Sequence, residues 1–141
     1  MTRDPDPFRL DPRLAADGTA VGGLVLCHLY LVDDARFFWV VLVPRRPGAV
    51  EIIDLDPADR PRLMEEIAAV SQAVKAVSGC AKLNVAALGN MVPQLHVHVI
   101  GRNPGDAAWP GPAFGAGIRE PLEPGARAAR LAALRDRLSP T

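Results

Sequence analysis

The sequence predicts an α+β fold: an antiparallel sheet of about five strands with a long helix on one face and a second helix closing the chain. Three observations carry this. Leu24–Val32 and Phe37–Val43 are paired runs rich in β-branched, aromatic and leucine residues, and Lys82–Leu88 and Gln94–Ile100 form a second such pair. Between the two pairs, Leu63, Ile67, Val70, Val74 and Val77 recur at helical spacing. A chain of 141 residues is in the size range of one domain, and we read 1–141 as one unit with a core over 24–102, a wrap over 103–125 and a closing helix over 126–138.

The first twenty residues mix Pro, Asp and Arg with Phe8, Leu10 and Leu14, an irregular lead-in with a short helical turn. Asp33-Asp34-Ala35-Arg36 joins the first two strands as a hairpin. Pro44 to Gly48 ends the second strand, and Val50–Leu55 reads as a short further strand. The main helix follows, with Asp56 as its N-cap, Pro57 at its first position and Asp59 adding negative charge to the first turn; Ser78-Gly79 ends it. Gly89-Asn90-Met91-Val92-Pro93 joins the last two strands. From Gly101 to Gly125 there are six Gly and five Pro, too many for a regular element but compatible with an ordered wrap carrying Trp109 and Phe114. Pro124–Leu138, rich in Ala, Leu and Arg, is the closing helix.

Sixteen basic residues balance sixteen acidic ones, so no net field draws the chain onto nucleic acid or an anionic membrane, and any bound anion must be held locally. The longest apolar stretch, Leu24–Val32, is interrupted by His28 and is too short to span a bilayer, and the N-terminus shows no apolar signal core. The expected location is cytoplasmic. Cys27 and Cys80, the two cysteines, have no CxxC spacing and read as buried thiols in a reducing compartment.

Candidate chemistry lies in Gln94-Leu95-His96-Val97-His98-Val99-Ile100. Period-two alternation sends Leu95, Val97 and Val99 to one face and Gln94, His96 and His98 to the other. Alternate α-carbons sit roughly 6.6 to 7 Å apart, so two imidazoles can address one phosphate group. One can attack phosphorus as a neutral nucleophile while the other donates a hydrogen bond to developing charge. Two other readings stand beside this. The pair could cap the solvent face of an edge strand, or hold a metal, for which only His28 or a distant carboxylate is at hand as a third ligand. His28 itself, inside a strand, reads as a structural histidine.

The stretch from Asn84 through Gly89-Asn90 and Gln94-Leu-His96-Val-His98 to Arg102 resembles the signature of the histidine-triad (HIT) superfamily, in a bacterial HIT-like branch where the motif reads Gln-x-His-x-His. The hairpin Leu24–Arg45 and the helix Pro57–Ser78 are similar to that family's nucleoside-binding hairpin and main helix, so the likeness covers roughly Leu24 to Arg102. The resemblance implies a HIT-like fold and a homodimer. It also implies hydrolysis or transfer at the α-phosphate of a nucleotide conjugate, a dinucleoside polyphosphate or nucleoside phosphoramidate, through a nucleotidyl-histidine.

Carried over by position, His96 is the nucleophile and His98 its partner. Gln94 stands where the first triad histidine would be; it can hydrogen-bond but cannot titrate. A nucleotide-binding module without turnover is therefore the alternative. Asn84 and Asn90 match phosphate-side positions, the Gly89 backbone can approach the same anion closely, Arg102 and Arg45 could help hold it, and Asp33, or its neighbour Asp34, matches the ribose-holding position. Gly89-Asn90 equally fits turn chemistry, Asp33-Asp34 a hairpin needing no ligand, and Arg102 and Arg45 solvated charge. Trp109 could pack or stack on a base. No resident metal or cofactor is implied, although Mg²⁺ can accompany a substrate's phosphates.

Overall fold

A computed structural model of the protein describes residues 7–141. The reading of the extreme N-terminus concerns in part residues 1–6 and lies outside the described residues. The elements are α1 (Pro12–Ala15), β1 (Gly18–Gly23), β2 (Cys27–Val32), β3 (Phe38–Pro44), a 3₁₀ turn (Ile52–Asp54), α2 (Asp59–Ser78), β4 (Lys82–Ala86), β5 (Val97–Arg102) and α3 (Pro124–Leu138). The five strands form one antiparallel sheet in the order β1-β2-β3-β5-β4. This is the α+β architecture the sequence predicts.

β3 lies at the centre of the sheet and all seven of its residues are buried, which is why Phe38–Pro44 reads as an apolar run rather than an alternation. Its two faces serve different purposes. Val40 and Leu42 join Leu29, Leu31, Val97 and Val99 against the stripe of α2 (Leu63, Ile67, Val70, Val74) and against Leu131 and Leu134 of α3. Trp39, Val41 and Val43 join Tyr30, Val32 and Ile100 on the opposite face, covered by Leu14 and flanking residues of the lead-in and by Ala113 and Phe114 of the wrap. The lead-in and wrap, irregular in sequence, are thus tied down by apolar burial, and they form the walls of the site.

Several boundaries differ from the sequence reading: β2 begins at Cys27 rather than Leu24, β4 ends at Ala86 rather than Leu88, and four further differences have a clear physical cause. β1 carries no strand signal of its own: Gly18-Thr-Ala-Val-Gly-Gly has weak strand preference, and it becomes a strand because β2 offers it a ladder, with a bulge between Ala20 and Gly22. Its outer edge is covered by Arg135, which donates to the carbonyls of Ala20 and Val21 (both 3.0 Å), while Gly23 exchanges main-chain hydrogen bonds with Thr141. Val50–Leu55 is not a strand. The Asp54 carboxylate accepts from the N–H groups of Val50 (3.0 Å) and Glu51 (2.8 Å) and folds the segment into a 3₁₀ turn. The regular helix starts at Asp59, behind a turn in which Asp56 accepts through its carbonyl rather than capping with its side chain. Asp59 ion-pairs with Arg46 at 2.7 Å. The helix ends as expected at Gly79, whose φ of 68° is the left-handed C-cap conformation.

β5 begins at Val97, three residues after the run that suggests it, because the preceding residues bond elsewhere. Leu95 N–H donates to Ala49 O (2.9 Å), and the His96 ring turns back onto the Gln94 carbonyl. Cys27 and Cys80 are both buried free thiols, and burial pushes the Cys27 thiol well above its usual range.

Candidate active site

The face of the sheet opposite α2 carries a cavity of about 430 Å³ with His96 and His98 at one end. His98 is placed by β5; its cross-strand neighbour on β3 is Val41, which in turn faces Tyr30 on β2. His98, Val41 and Tyr30 therefore form a row across the cavity floor. Trp39 and Phe114 wall the histidine end: the His98 ring centroid is 4.9 Å from Phe114 and 5.6 Å from Trp39, all edge-to-face.

The two imidazoles are held in opposite tautomers. His96 Nδ1 lies 2.6 Å from the Gln94 carbonyl oxygen, which can only accept, so Nδ1 carries the proton and Nε2 of the neutral ring keeps its lone pair. Trp39 Nε1–H, which can only donate, lies 3.0 Å from His98 Nδ1, so the His98 proton is on Nε2. The ring centroids are 4.9 Å apart. Burial first, and the neighbouring His96 second, pull the His98 pKa from 6.5 down to about 4, so His98 is neutral at pH 7. One lone pair and one N–H are thereby available side by side, a nucleophile beside a hydrogen-bond donor.

Of the other residues singled out by sequence, Gly89 and Asn90 line the cavity, Gly89 with φ 72°, and their loop flanks His96. Gln94 points the other way: its Nε2 donates to Arg9 O and its Oε1 accepts from Asp11 N–H, both at 2.8 Å, which latches the lead-in to the motif. Asn84, Arg102 and Asp33 lie outside the lining of this cavity, with Arg102, Asp33 and the Asn84 Oδ1 engaged by other protein groups. Arg102 is fully buried, grips Asp106 through two hydrogen bonds (2.8 and 2.9 Å), and also donates to Gly111 O and to Asn84 Oδ1 (both 2.8 Å). Asp33 accepts from Leu122 N–H at 2.8 Å and lies 3.6 Å from Arg127. Asp34 is buried against Arg36. Arg45 donates to the carbonyls of Leu24, Val25 and Cys27. Trp109 lies over Arg102 rather than at the histidines; Phe114 takes that place.

The cavity also contains residues that the sequence reading did not assign to the site: Tyr30 and Trp39 on the floor, and Asp17 and Arg119 on its lining. Tyr30 and Trp39 could have been found from alternation once the strand order was known, since both share the face of His98. Nothing local marks Asp17 or Arg119. Among the described residues no three of His, Cys, Asp or Glu come together as a metal-ligand set, and no helix is long and apolar enough to cross a membrane.

A five-stranded α+β fold that brings His96 and His98 side by side into an apolar cavity is of the histidine-triad type. The HIT domain family model matches residues 13–105. The chain superposes on the histidine triad protein of Bradyrhizobium japonicum with a TM-score of 0.92 at 46% identity, covering 94% of this chain and 98% of that one. It matches the histidine triad protein of Marinobacter aquaeolei with a TM-score of 0.91 at 44% identity (94% and 97% covered), and that of Sinorhizobium meliloti with 0.90 at 42% (93% and 97%). No match was found among curated proteins. The chain belongs to the HIT family.

Proposed function

We propose that the chain is a nucleotide hydrolase or transferase acting at the α-phosphate of a nucleotide conjugate, with His96 as nucleophile. Membership of the HIT family supports nucleotide-directed, hydrolase-type activity at the level of the superfamily. The observation that carries the finer reading is the 2.6 Å contact between His96 Nδ1 and the Gln94 carbonyl, which leaves Nε2 as the attacking atom. In the proposed step Nε2 forms a bond to phosphorus as the bond to the leaving group breaks. The electron pair departs with the leaving group, which takes up a proton from solvent water, while His98 Nε2–H hydrogen-bonds a phosphoryl oxygen; the water of the second step returns a proton to solvent. Water then displaces His96 and releases the nucleoside monophosphate. Gly89 and Asn90, which line the cavity beside His96, are the phosphate-side residues in this reading. The reaction requires no resident cofactor, and Mg²⁺ enters only with the substrate's phosphates. A homodimer in the cytoplasm completes the reading, on the family resemblance.

A second reading has its own observation. The Gln94 amide is committed to the main chain of Arg9 and Asp11, so no titratable group stands at the first triad position, which suits a nucleotide-binding module without turnover. Wild type and His96→Ala, incubated with adenosine and guanosine phosphoramidates and dinucleoside polyphosphates, separate the two. Monophosphate release followed by chromatography is expected to fall at least about 10³-fold in the variant. Absence of release from every substrate, with nucleotide still bound by the wild type, overturns the catalytic reading in favour of the binding module.

A further inference from the structure

Among the groups lining the cavity, Tyr30 has an unused hydrogen-bonding capacity. The residue is 3% exposed and lines the cavity floor; every buried side-chain polar atom among the described residues has a partner while this hydroxyl has none there, so the O–H is open to the cavity rather than sealed in the core. Burial, reinforced by the Asp17 carboxylate, holds its pKa above the ordinary value, so the group is a neutral O–H. Asp17 and Arg119 line the same cavity, 3.6 Å apart between Oδ1 and Nη1, and both remain partly open to solvent. The walls between them and the histidines are apolar, formed by Leu14, Val32, Val41 and Phe114.

Position along the cavity decides what this polar end can meet. Tyr30 is two strands from His98 through Val41, roughly 9.6 Å between α-carbons at a strand spacing of about 4.8 Å. Asp17 lies further still, just before β1, the strand beyond β2. A phosphate held at the histidines puts the sugar over Val41 and the base over Tyr30, with the outer edge of the base toward Asp17 and Arg119. Asp17 and Arg119 pair with each other there at 3.6 Å, both partly exposed, so a base must replace that contact; in doing so it meets one carboxylate, which takes two donated hydrogen bonds side by side, and two donors, a guanidinium and a phenol. A guanine edge offers the matching set: the O6 acceptor beside the N1–H and N2–H₂ donors. Adenine presents only one donor group beside one acceptor, and no oxygen.

We infer that Tyr30, Asp17 and Arg119 form a base-reading end of the cavity that selects a guanine nucleotide over an adenine one. The inference rests on the proposed nucleotide reading of the same site. Asp17 accepts from N1–H and N2–H₂, and Arg119 and the Tyr30 hydroxyl donate to O6. These are specificity-determining residues, remote from the reacting phosphorus.

The test is calorimetric titration of the wild type, Tyr30→Phe and Asp17→Asn with guanosine, inosine and adenosine 5′-monophosphates, read as ratios of Kd so that a general loss of folded protein does not count. The wild type is expected to bind the guanosine nucleotide at least about tenfold more tightly than the adenosine one, or about 1.4 kcal/mol. The inosine nucleotide, lacking N2–H₂, should fall between. In Asp17→Asn the preference should collapse to within about twofold, and in Tyr30→Phe it should shrink by about half on a logarithmic scale. Equal binding of all three by the wild type, or ratios unchanged in both variants, overturns this assignment and leaves the nucleotide reading standing. No binding of any of the three overturns both.

Discussion

His98 makes the protein's stability depend on pH in a way that can be worked from the structure. An unfolded histidine titrates near 6.5, whereas in the fold His98 titrates at about 4 because it is buried and faces His96. Between those two values the unfolded chain binds a proton that the native one does not, so stability rises with pH across the window. His98's contribution is therefore complete above about pH 6.5 and is lost progressively as the pH falls to about 4. At pH 4.5 the unfolded imidazole is almost fully protonated and the native one mostly neutral, which at about 1.36 kcal/mol per pKa unit amounts to about 2 kcal/mol lost relative to pH 7.

The carboxylates also titrate in this range, so the measurement is a difference. Urea unfolding of wild type and His98→Asn at pH 7, 5.5 and 4.5 isolates the term, because the Asn amide oxygen can still accept from Trp39 Nε1–H but carries no titrating group. Relative to the variant, the wild type should lose about 1 kcal/mol by pH 5.5 and about 2 by pH 4.5. Parallel pH profiles for the two proteins would refute both the neutral tautomer and the burial argument behind it.

Two further perturbations follow from where side chains are already committed. Gln94→Ala removes both bonds that latch the lead-in and should cost about 1–2 kcal/mol, with faster amide exchange at Asp11, whose N–H loses its acceptor; unchanged exchange there would show that the latch does not hold the segment. Arg102→Lys cannot reproduce the two-pronged grip on Asp106 or reach Gly111 and Asn84 together, and should cost about 3–5 kcal/mol. The Asp106 carboxyl, which Arg102 holds far below the usual carboxylate range, should titrate closer to its ordinary value in the variant; an unmoved Asp106 would mean that its backbone partners, not Arg102, set it.

What could be read from the chain and what could not divide along physical lines. The α2 stripe, the β2–β3 hairpin and the alternation of His96 and His98 against Leu95, Val97 and Val99 are local periodicities, and all are present. β1 and the walls of the site have no such period. Gly18–Gly23 is a strand only in the presence of β2, and Phe114 reaches His98 only because a Gly/Pro-rich segment with no regular bonding pattern is laid over the sheet. Tyr30 shares the floor with His98 through two successive cross-strand pairings, a fact of register that no single run of residues contains. Asp54 turning Val50–Leu55 into a 3₁₀ element is of the same kind: one carboxylate taking two N–H groups outweighs the strand preference of Val-Glu-Ile-Ile.

The arginines that lie outside the cavity share a feature that bears on how an anion is bound. Arg36, Arg45, Arg102 and Arg135 all donate to main-chain carbonyls, and Arg36 and Arg102 also hold carboxylates. They are structural staples of the loops and of the sheet edge. Arg119, the cation on the cavity lining, is paired with Asp17. A phosphate at the histidine end therefore meets no guanidinium among the described lining residues; it meets the loop at Gly89 and Asn90 and the two imidazoles. Neutral dipoles fixed in place by packing cost no reorganisation when charge develops on the phosphorus oxygens, and in a cavity with apolar walls each acts with little screening from water. The locked tautomers fit this arrangement: Trp39 and the Gln94 carbonyl fix a ring nitrogen each, so donor and nucleophile are set before any ligand arrives.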